Sequence, residues 1–291
     1  MPTGVPFGAK REMIEAYQES CMGINWRGKF RDIKTEDGRL LSYAEATVFS
    51  RAPVAPTGIR RNVVIVYFQG NASSTPPRLP LISAILSSLK TQRSSITYTV
   101  IVPSYRGYWT STGSPSQAGI EKDMKAIFRH LESYNTLGTE FILWGQSIGC
   151  GIALKGWANY LQAPKRRIPI HVKGLIMETP FVSVDSMLLA LYPQRWLPYR
   201  YLSPFLRNHW DVRGAVKEIA ERDVGVDIVA LRAGRDELVT EEEAVEVEGI
   251  LGQISRRDRH IRRVVVTGAL HVECAAKPQG RNEIINFLKD C

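Results

Sequence analysis

After Asn62, the stretch Val63-Val-Ile-Val-Tyr-Phe68 is an unbroken run of β-branched and aromatic residues with no polar face. Such a run suits a strand covered on both sides, which is the situation in a parallel sheet. Apolar runs at Tyr98–Val102, Phe141–Trp144, Ile168–Met177, Val226–Arg232 and Ile261–Thr267 predict further strands. Between them, helical patterning is expected over Leu79–Leu89, Gln117–Tyr134, Ile148–Leu161, Glu241–Leu251 and Asn282–Leu288, with Ser116 as an N-cap. Strand–helix–strand repetition of this kind packs as an α/β fold: a mostly parallel sheet with helices on both faces. Asp37-Gly38 is a tight-turn signal between a short strand after Asp32 and a second at Leu40–Val48, so an antiparallel hairpin is expected at the leading edge.

The organisation that follows is one domain over residues 30–291, preceded by a polar leader, 1–29, with a short helix at Arg11–Glu19. Arg51–Gly58 reads as a proline-rich connector. One segment breaks the alternation. Residues 178–225 are far longer than an ordinary crossover and hold Phe181, Trp196, Tyr199, Tyr201, Phe205 and Trp210 among several prolines. This segment is expected to form a short cap insertion. Trp196, Tyr199 and Phe205 are its candidate substrate-binding residues.

Composition narrows the functional classes. Hydrophobic residues are 44% and charged residues 23%, which excludes a disordered chain. The net charge is +9, but the basic residues lie in small scattered groups with no zinc-finger or RNA-recognition spacing, so a nucleic-acid partner is not expected. The charge suits, at most, weak peripheral attraction to an anionic membrane face or anionic substrate. No apolar stretch approaches the ~20 residues of a spanning helix. Four dispersed cysteines, at 21, 150, 274 and 291, form neither a disulfide framework nor a metal knuckle. A cytoplasmic location, peripheral to a membrane at most, is the expectation, with no metal or cofactor.

The chemistry concentrates at Gly145-Gln-Ser147-Ile-Gly149, a G-x-S-x-G pattern. Three fixed residues at about 7% usage each would match about 0.1 times by chance in such a chain. The context sharpens it: a strand ends just before and a helix starts just after, the setting of a nucleophile elbow. A serine there needs a base and an orienting carboxylate downstream in the chain. Of the five histidines, His271 alone follows the last strand in a short loop. Asp236 follows the penultimate strand, with Glu237 the runner-up acid, while Asp227 begins that strand and faces the wrong edge. For the oxyanion, the expected donors are the N–H of Ile148 and one from Gln69-Gly-Asn71-Ala-Ser73, with Asn71 first and Ala72 next.

These motifs resemble those of the α/β-hydrolase superfamily of serine hydrolases. They are similar to the abhydrolase-domain branch, which contains monoacylglycerol lipases, lysophospholipases and protein-depalmitoylating thioesterases. The resemblance covers roughly Asp32 to Leu288. The branch's His-Gly-Asn-Ala-Gly appears as Gln69-Gly-Asn-Ala-Ser73, and its Tyr-Arg-Gly-Tyr-Gly as Tyr105-Arg-Gly-Tyr-Trp109, followed by Gly113-Ser-Pro-Ser116. The acid motif resembles Gly234-Arg-Asp-Glu237, and the Gly-x-His loop resembles Gly268-Ala-Leu-His271 with one residue inserted. The resemblance implies catalytic roles for Ser147, Asp236 and His271. Gln69 stands where a His is usual, and Trp109 where a Gly is usual near the site mouth. Many relatives carry an N-terminal membrane helix or a lipidated, cysteine-rich leader. Neither is visible here, which keeps soluble acyl esters and thioesters open as substrates.

The expected activity is hydrolysis of a small-molecule carboxylic ester or thioester (acylglycerol, lysophospholipid or acyl thioester) through an acyl-enzyme. Two alternatives stand beside it: an acyltransferase on the same triad, and a catalytically silent binding or scaffold protein on this fold.

Overall fold

The computed structural model describes residues 12–51, 60–71, 74–92, 95–164, 169–191, 208–222, 224–255 and 261–290. Eight strands form one sheet: β1 (Arg27–Lys34), β2 (Leu40–Phe49), β3 (Arg61–Phe68), β4 (Ile96–Pro103), β5 (Thr139–Gln146), β6 (Val172–Glu178), β7 (Asp227–Ala233) and β8 (Arg262–Val266). Their order is β1-β2-β4-β3-β5-β6-β7-β8. β1 and β2 pair antiparallel, as does β2 with β4, and every other neighbour is parallel. This is the α/β-hydrolase fold, with the leading hairpin closing one edge.

The continuous apolar run of β3 is explained by burial on both sides. Val64, Val66 and Phe68 enter one core, and Val63, Ile65 and Tyr67 enter the other. Helices α1 (Leu79–Lys90), α2 (Gln117–Leu131), α3 (Ile148–Gln162), α4 (Val184–Leu191), α5 (Val212–Ala220), α6 (Glu241–Leu251) and α7 (Pro278–Asp290) follow in chain order. Side chains of α2, α3, α5 and α6 fill the first core, whereas α1 and α7 supply the second. Ser116 caps α2, accepting from the Gly119 N–H at 3.2 Å. The helix expected to run to Tyr134 stays α-helical only to Leu131, after which Glu132–Tyr134 tightens into a 3-10 turn.

Two expectations change on contact with the packing. The polar leader is partly core: Ile14, Cys21, Ile24 and Trp26 are buried, and the Trp26 indole donates to Ser83 Oγ of α1 at 2.7 Å. Its helix is a 3-10 segment, Ile14–Cys21, and β1 already begins at Arg27. Sparse apolar residues without helical spacing hid this. β4 starts two residues before the expected Tyr98 and stops at Pro103, its last residue. Finally, the far end of the 178–225 segment belongs to the body. Val212, Ala215, Val216 and Ile219 of α5 are buried in the core shared with α3. Trp196, Tyr199 and Phe205 lie outside the described residues.

A buried ion pair ties the hairpin to the sheet. Arg106, in the loop after β4, gives its Nε to Asp123 of α2 at 2.9 Å and its two terminal nitrogens to Asp37 in the hairpin turn at 2.8 and 3.0 Å. The Arg106 main-chain N–H also donates to Asp123, whose side chain is fully buried. Removing one partner of such a pair leaves an uncompensated charge in low dielectric. Asp123→Ala is therefore expected to lower unfolding free energy by about 3–5 kcal/mol. Urea unfolding of the full chain measures this, and a loss below about 1 kcal/mol would mark the pair as no stronger than a surface bridge.

Candidate active site

The turn between β5 and α3 sets the geometry. Phe68 at the end of β3 pairs in register with Gly145 near the end of β5. Helix α3 starts immediately, so its first turn is forced against the end of β3. A Cβ at Gly149 would stand 2.1 Å from the Phe68 carbonyl oxygen, and one at Gly145 would stand 2.5 Å from Cys150 Cα. Only glycine fits either position. Between them Ser147 takes φ 53 and ψ −124, a region that non-glycine residues rarely occupy. Two bonds hold it there: its N–H donates to the Glu178 carbonyl at 2.8 Å, and its carbonyl accepts from Cys150 N–H at 2.9 Å.

The imidazole of His271 meets this serine, with Nε2 2.8 Å from Ser147 Oγ. On the other side of the ring, Nδ1 lies 2.9 and 3.0 Å from the two oxygens of Asp236. His271 is buried. Burial raises the Asp236 pKa, but the bond and charge of His271 and the Leu238 and Val239 N–H groups outweigh it. The net position is below the usual carboxylate range. Asp236 is thus held as an anion facing the imidazole. Glu237, the runner-up, instead accepts the main-chain N–H of His271 at 2.9 Å. It anchors the loop and makes no bond to the ring. Asp227 sits at the opposite, N-terminal end of β7, as expected.

The loop after β3 runs beside the serine. A Cβ on Gly70 would lie 3.5 Å from Ser147 Cβ, so this loop passes close to the serine at Gly70. Ile148 opens α3, whose first-turn N–H groups carry the positive end of the helix dipole. Ala72 lies outside the described residues. Two tyrosines of the Tyr105–Trp109 segment reach this loop. Tyr105 OH donates to the Gln69 carbonyl and Tyr108 OH to Asn71 Oδ1, both at 3.1 Å. Trp109 does not stand at a mouth. It is fully buried at φ 41, packs on Phe30 and donates its indole N–H to the Glu12 carbonyl at 2.8 Å. The glycine usual at this position would meet that backbone angle without strain.

Several supporting groups escaped the sequence reading. Glu178, at the end of β6, is fully buried beneath the elbow. Its carboxylate accepts from Ala275 N–H at 2.9 Å and the Trp144 indole at 3.3 Å, so it links the histidine loop to β5. Burial pushes its pKa up against those donors. Thr179, at φ 47, donates its hydroxyl to the His271 carbonyl at 3.1 Å. Nothing in their spacing marks these residues, because their partners come from distant segments. A cavity of about 260 Å³ behind Asp236, lined in part by Thr179, Arg235, Val239 and Ala244, contains neither Ser147 nor His271.

No family model matches the chain. Protein bem46 of Schizosaccharomyces pombe is 26% identical over 194 residues, which are 66% of this chain and 58% of that protein. Alpha/beta hydrolase domain-containing protein WAV2 of Arabidopsis thaliana is 29% identical over 188 residues, 62% of this chain and 54% of that one. The chain thus spans little more than half the length of these relatives. Lysophosphatidylserine lipase ABHD12 of Gallus gallus is 30% identical over 123 residues, covering 42% of this chain and 29% of its own. Among solved structures, the Pyrococcus furiosus esterase Pf2001 superposes with a TM-score of 0.63 at 17% identity, covering 99% of this chain and 97% of its own. An alpha-beta hydrolase from Vibrio vulnificus gives 0.65 at 17% identity, covering 97% and 86%. In sequence the chain is similar to α/β-hydrolase domain proteins, and in structure it shares the fold of esterases and hydrolases, which together support the resemblance to the abhydrolase-domain branch.

Proposed function

We propose that this α/β-hydrolase is a serine hydrolase that cleaves a carboxylic ester or thioester through an acyl-enzyme. The carrying observation is the chain of contacts from Ser147 Oγ through both nitrogens of His271 to Asp236, at 2.8, 2.9 and 3.0 Å. Such distances are within reach for proton transfer. In this reading His271 takes the Ser147 proton as Oγ attacks the acyl carbon. Asp236 fixes the imidazole tautomer and stabilises the imidazolium. The N–H groups of Ile148 and Asn71 receive the oxyanion. His271 then protonates the leaving oxygen or sulfur, and water, activated by the same histidine, releases the acid. Transfer to an alcohol or thiol in place of water would make the chain an acyltransferase. A silent scaffold would have no reason to keep a serine at φ 53 beside a buried histidine.

The substrate class proposed is an acyl ester of lysophospholipid or acylglycerol type, or an acyl thioester. The name of the chicken relative, a lysophosphatidylserine lipase, supports the lipid arm. Among the described residues no helix is long and apolar enough to cross a membrane.

A fluorophosphonate probe should label wild-type protein and fail to label Ser147→Ala. Ser147→Ala and His271→Ala should each lower kcat by roughly 10⁴–10⁶ on a p-nitrophenyl ester, and the double variant should be little worse. Ester hydrolysis surviving in both singles would sink the assignment.

The acid is separable from its neighbour. Asp236→Asn is expected to lower kcat by about 10⁴ through the wrong tautomer. Glu237→Gln still offers an oxygen to the His271 N–H and should cost far less. The reverse ranking would move the role to Glu237.

Trp196, Tyr199 and Phe205 are proposed to line the acyl pocket. Replacing each with a smaller side chain should shift relative kcat/KM between short and long acyl esters, since a methylene is worth about 1–3 kcal/mol in an apolar pocket. A uniform loss at every chain length, with a lower melting temperature, would make them structural.

A further inference from the structure

The Tyr105–Tyr108 turn is built more firmly than a surface loop requires. Arg106 inside it is locked to Asp123 and Asp37, and Gly107 takes φ 78, so that Tyr108 N–H folds back onto the Tyr105 carbonyl at 2.9 Å. The two phenol rings meet edge to face at 5.6 Å and are buried. Both hydroxyls point at one target, the loop after β3: Tyr105 at the Gln69 carbonyl, Tyr108 at the Asn71 side chain. Asn71 itself is exposed, and its neighbour Gly70 supplies no side chain to hold the loop. A donor on such a loop needs an external anchor.

We propose that Tyr108 is a positioning residue for the oxyanion donor: its hydroxyl, bonded to Asn71 Oδ1, fixes the Asn71 main chain beside Ser147. The proposal rests on the serine-hydrolase reading given above. The physical requirement is geometric. An oxyanion donor works only when its N–H is aimed at the place where charge develops, and looseness there lowers turnover without weakening ground-state binding. Burial pushes the Tyr108 phenol up to about 12, so it remains a neutral hydrogen-bond donor at neutral pH.

The experiment uses the full chain with a p-nitrophenyl ester and a fluorophosphonate probe. Tyr108→Phe keeps the buried ring and removes only the hydroxyl. Asn71→Ala keeps the main-chain N–H and removes the side-chain carboxamide, with the oxygen that accepts from Tyr108. Each should lower kcat about 10-fold, with KM within about twofold of wild type. Because both remove the same bond, the double variant should be no worse than either single. Probe labelling of Ser147 should slow in parallel, since phosphonylation also develops charge on an oxygen. Melting temperatures should stay within a few degrees of wild type. Unchanged kcat in Tyr108→Phe, losses that multiply in the double variant, or a loss that comes as raised KM or a lowered melting temperature would overturn the positioning role. If wild-type protein takes no probe, the serine-hydrolase reading fails, and the proposal falls with it; labelled wild type with wild-type kcat in Tyr108→Phe overturns the proposal alone.

Discussion

The contact on which the site depends is the approach of the first turn of α3 to the end of β3. Gly149 faces the Phe68 carbonyl so closely that any side chain there would occupy the backbone. That approach fixes three things together. It brings the loop after β3 beside the elbow, it aims the first-turn N–H groups of α3 at the same spot, and it leaves Ser147 no relaxed backbone angle. The strand order supplies the opportunity. β3 lies between β4 and β5, where chain direction through the sheet reverses, and crevices open at such switch points. Glycines at 145 and 149 let the helix use it.

The other members of the site are held by bonds that cross between strand ends. Glu178, at the end of β6, takes one N–H from the histidine loop and one from a β5 side chain, and its carbonyl receives the Ser147 N–H. Glu237 and Thr179 secure the main chain of His271 from either side, through its N–H and its carbonyl. Asp236 is oriented by two main-chain N–H groups as well as by the imidazole. Position in this site is therefore set mainly by polar bonds to backbone. Such bonds are costly to leave unmade in a buried setting, so the alternatives for each side chain are few.

What could be read from the sequence follows from which interactions are local. The unbroken run Val63–Phe68 announced a strand buried twice over, and β3 feeds both cores. The spacing at Gly145, Ser147 and Gly149 announced the elbow because strand, turn and helix there are consecutive. Asp236 and His271 were legible because each follows its own strand within a few residues. Glu178 was not, since it reads as the polar end of an apolar run and its partners lie 34 and 97 residues away. The leader hid its buried residues for a similar reason: Trp26 and Ile14 follow no helical or strand period and pack only because α1 presents a face to them. Trp109 read as a residue near the site mouth from its place in a motif. Its fully buried ring and its bond to Glu12 are tertiary facts that motif comparison alone does not carry.

Strain in the backbone is unevenly distributed, and its location bears on how the site is kept. The described non-glycine residues with positive φ are Met22, Arg31, Trp109, Ser147, Thr179 and Trp210. Ser147 and Thr179 stand just past the ends of β5 and β6, and Trp109 lies in the segment after β4. Each such angle costs on the order of 1–3 kcal/mol and persists only where the surroundings over-determine it. Here those surroundings can be named: Ser147 is held by Glu178 and Cys150, Thr179 by Leu231 and His271, Trp109 by Glu12 and Phe30. The parallel strands and their buried helices supply the stability against which these positions are strained. Ser147, the nucleophile of the proposed reaction, is thereby held before any substrate arrives at an angle the chain would not choose for itself.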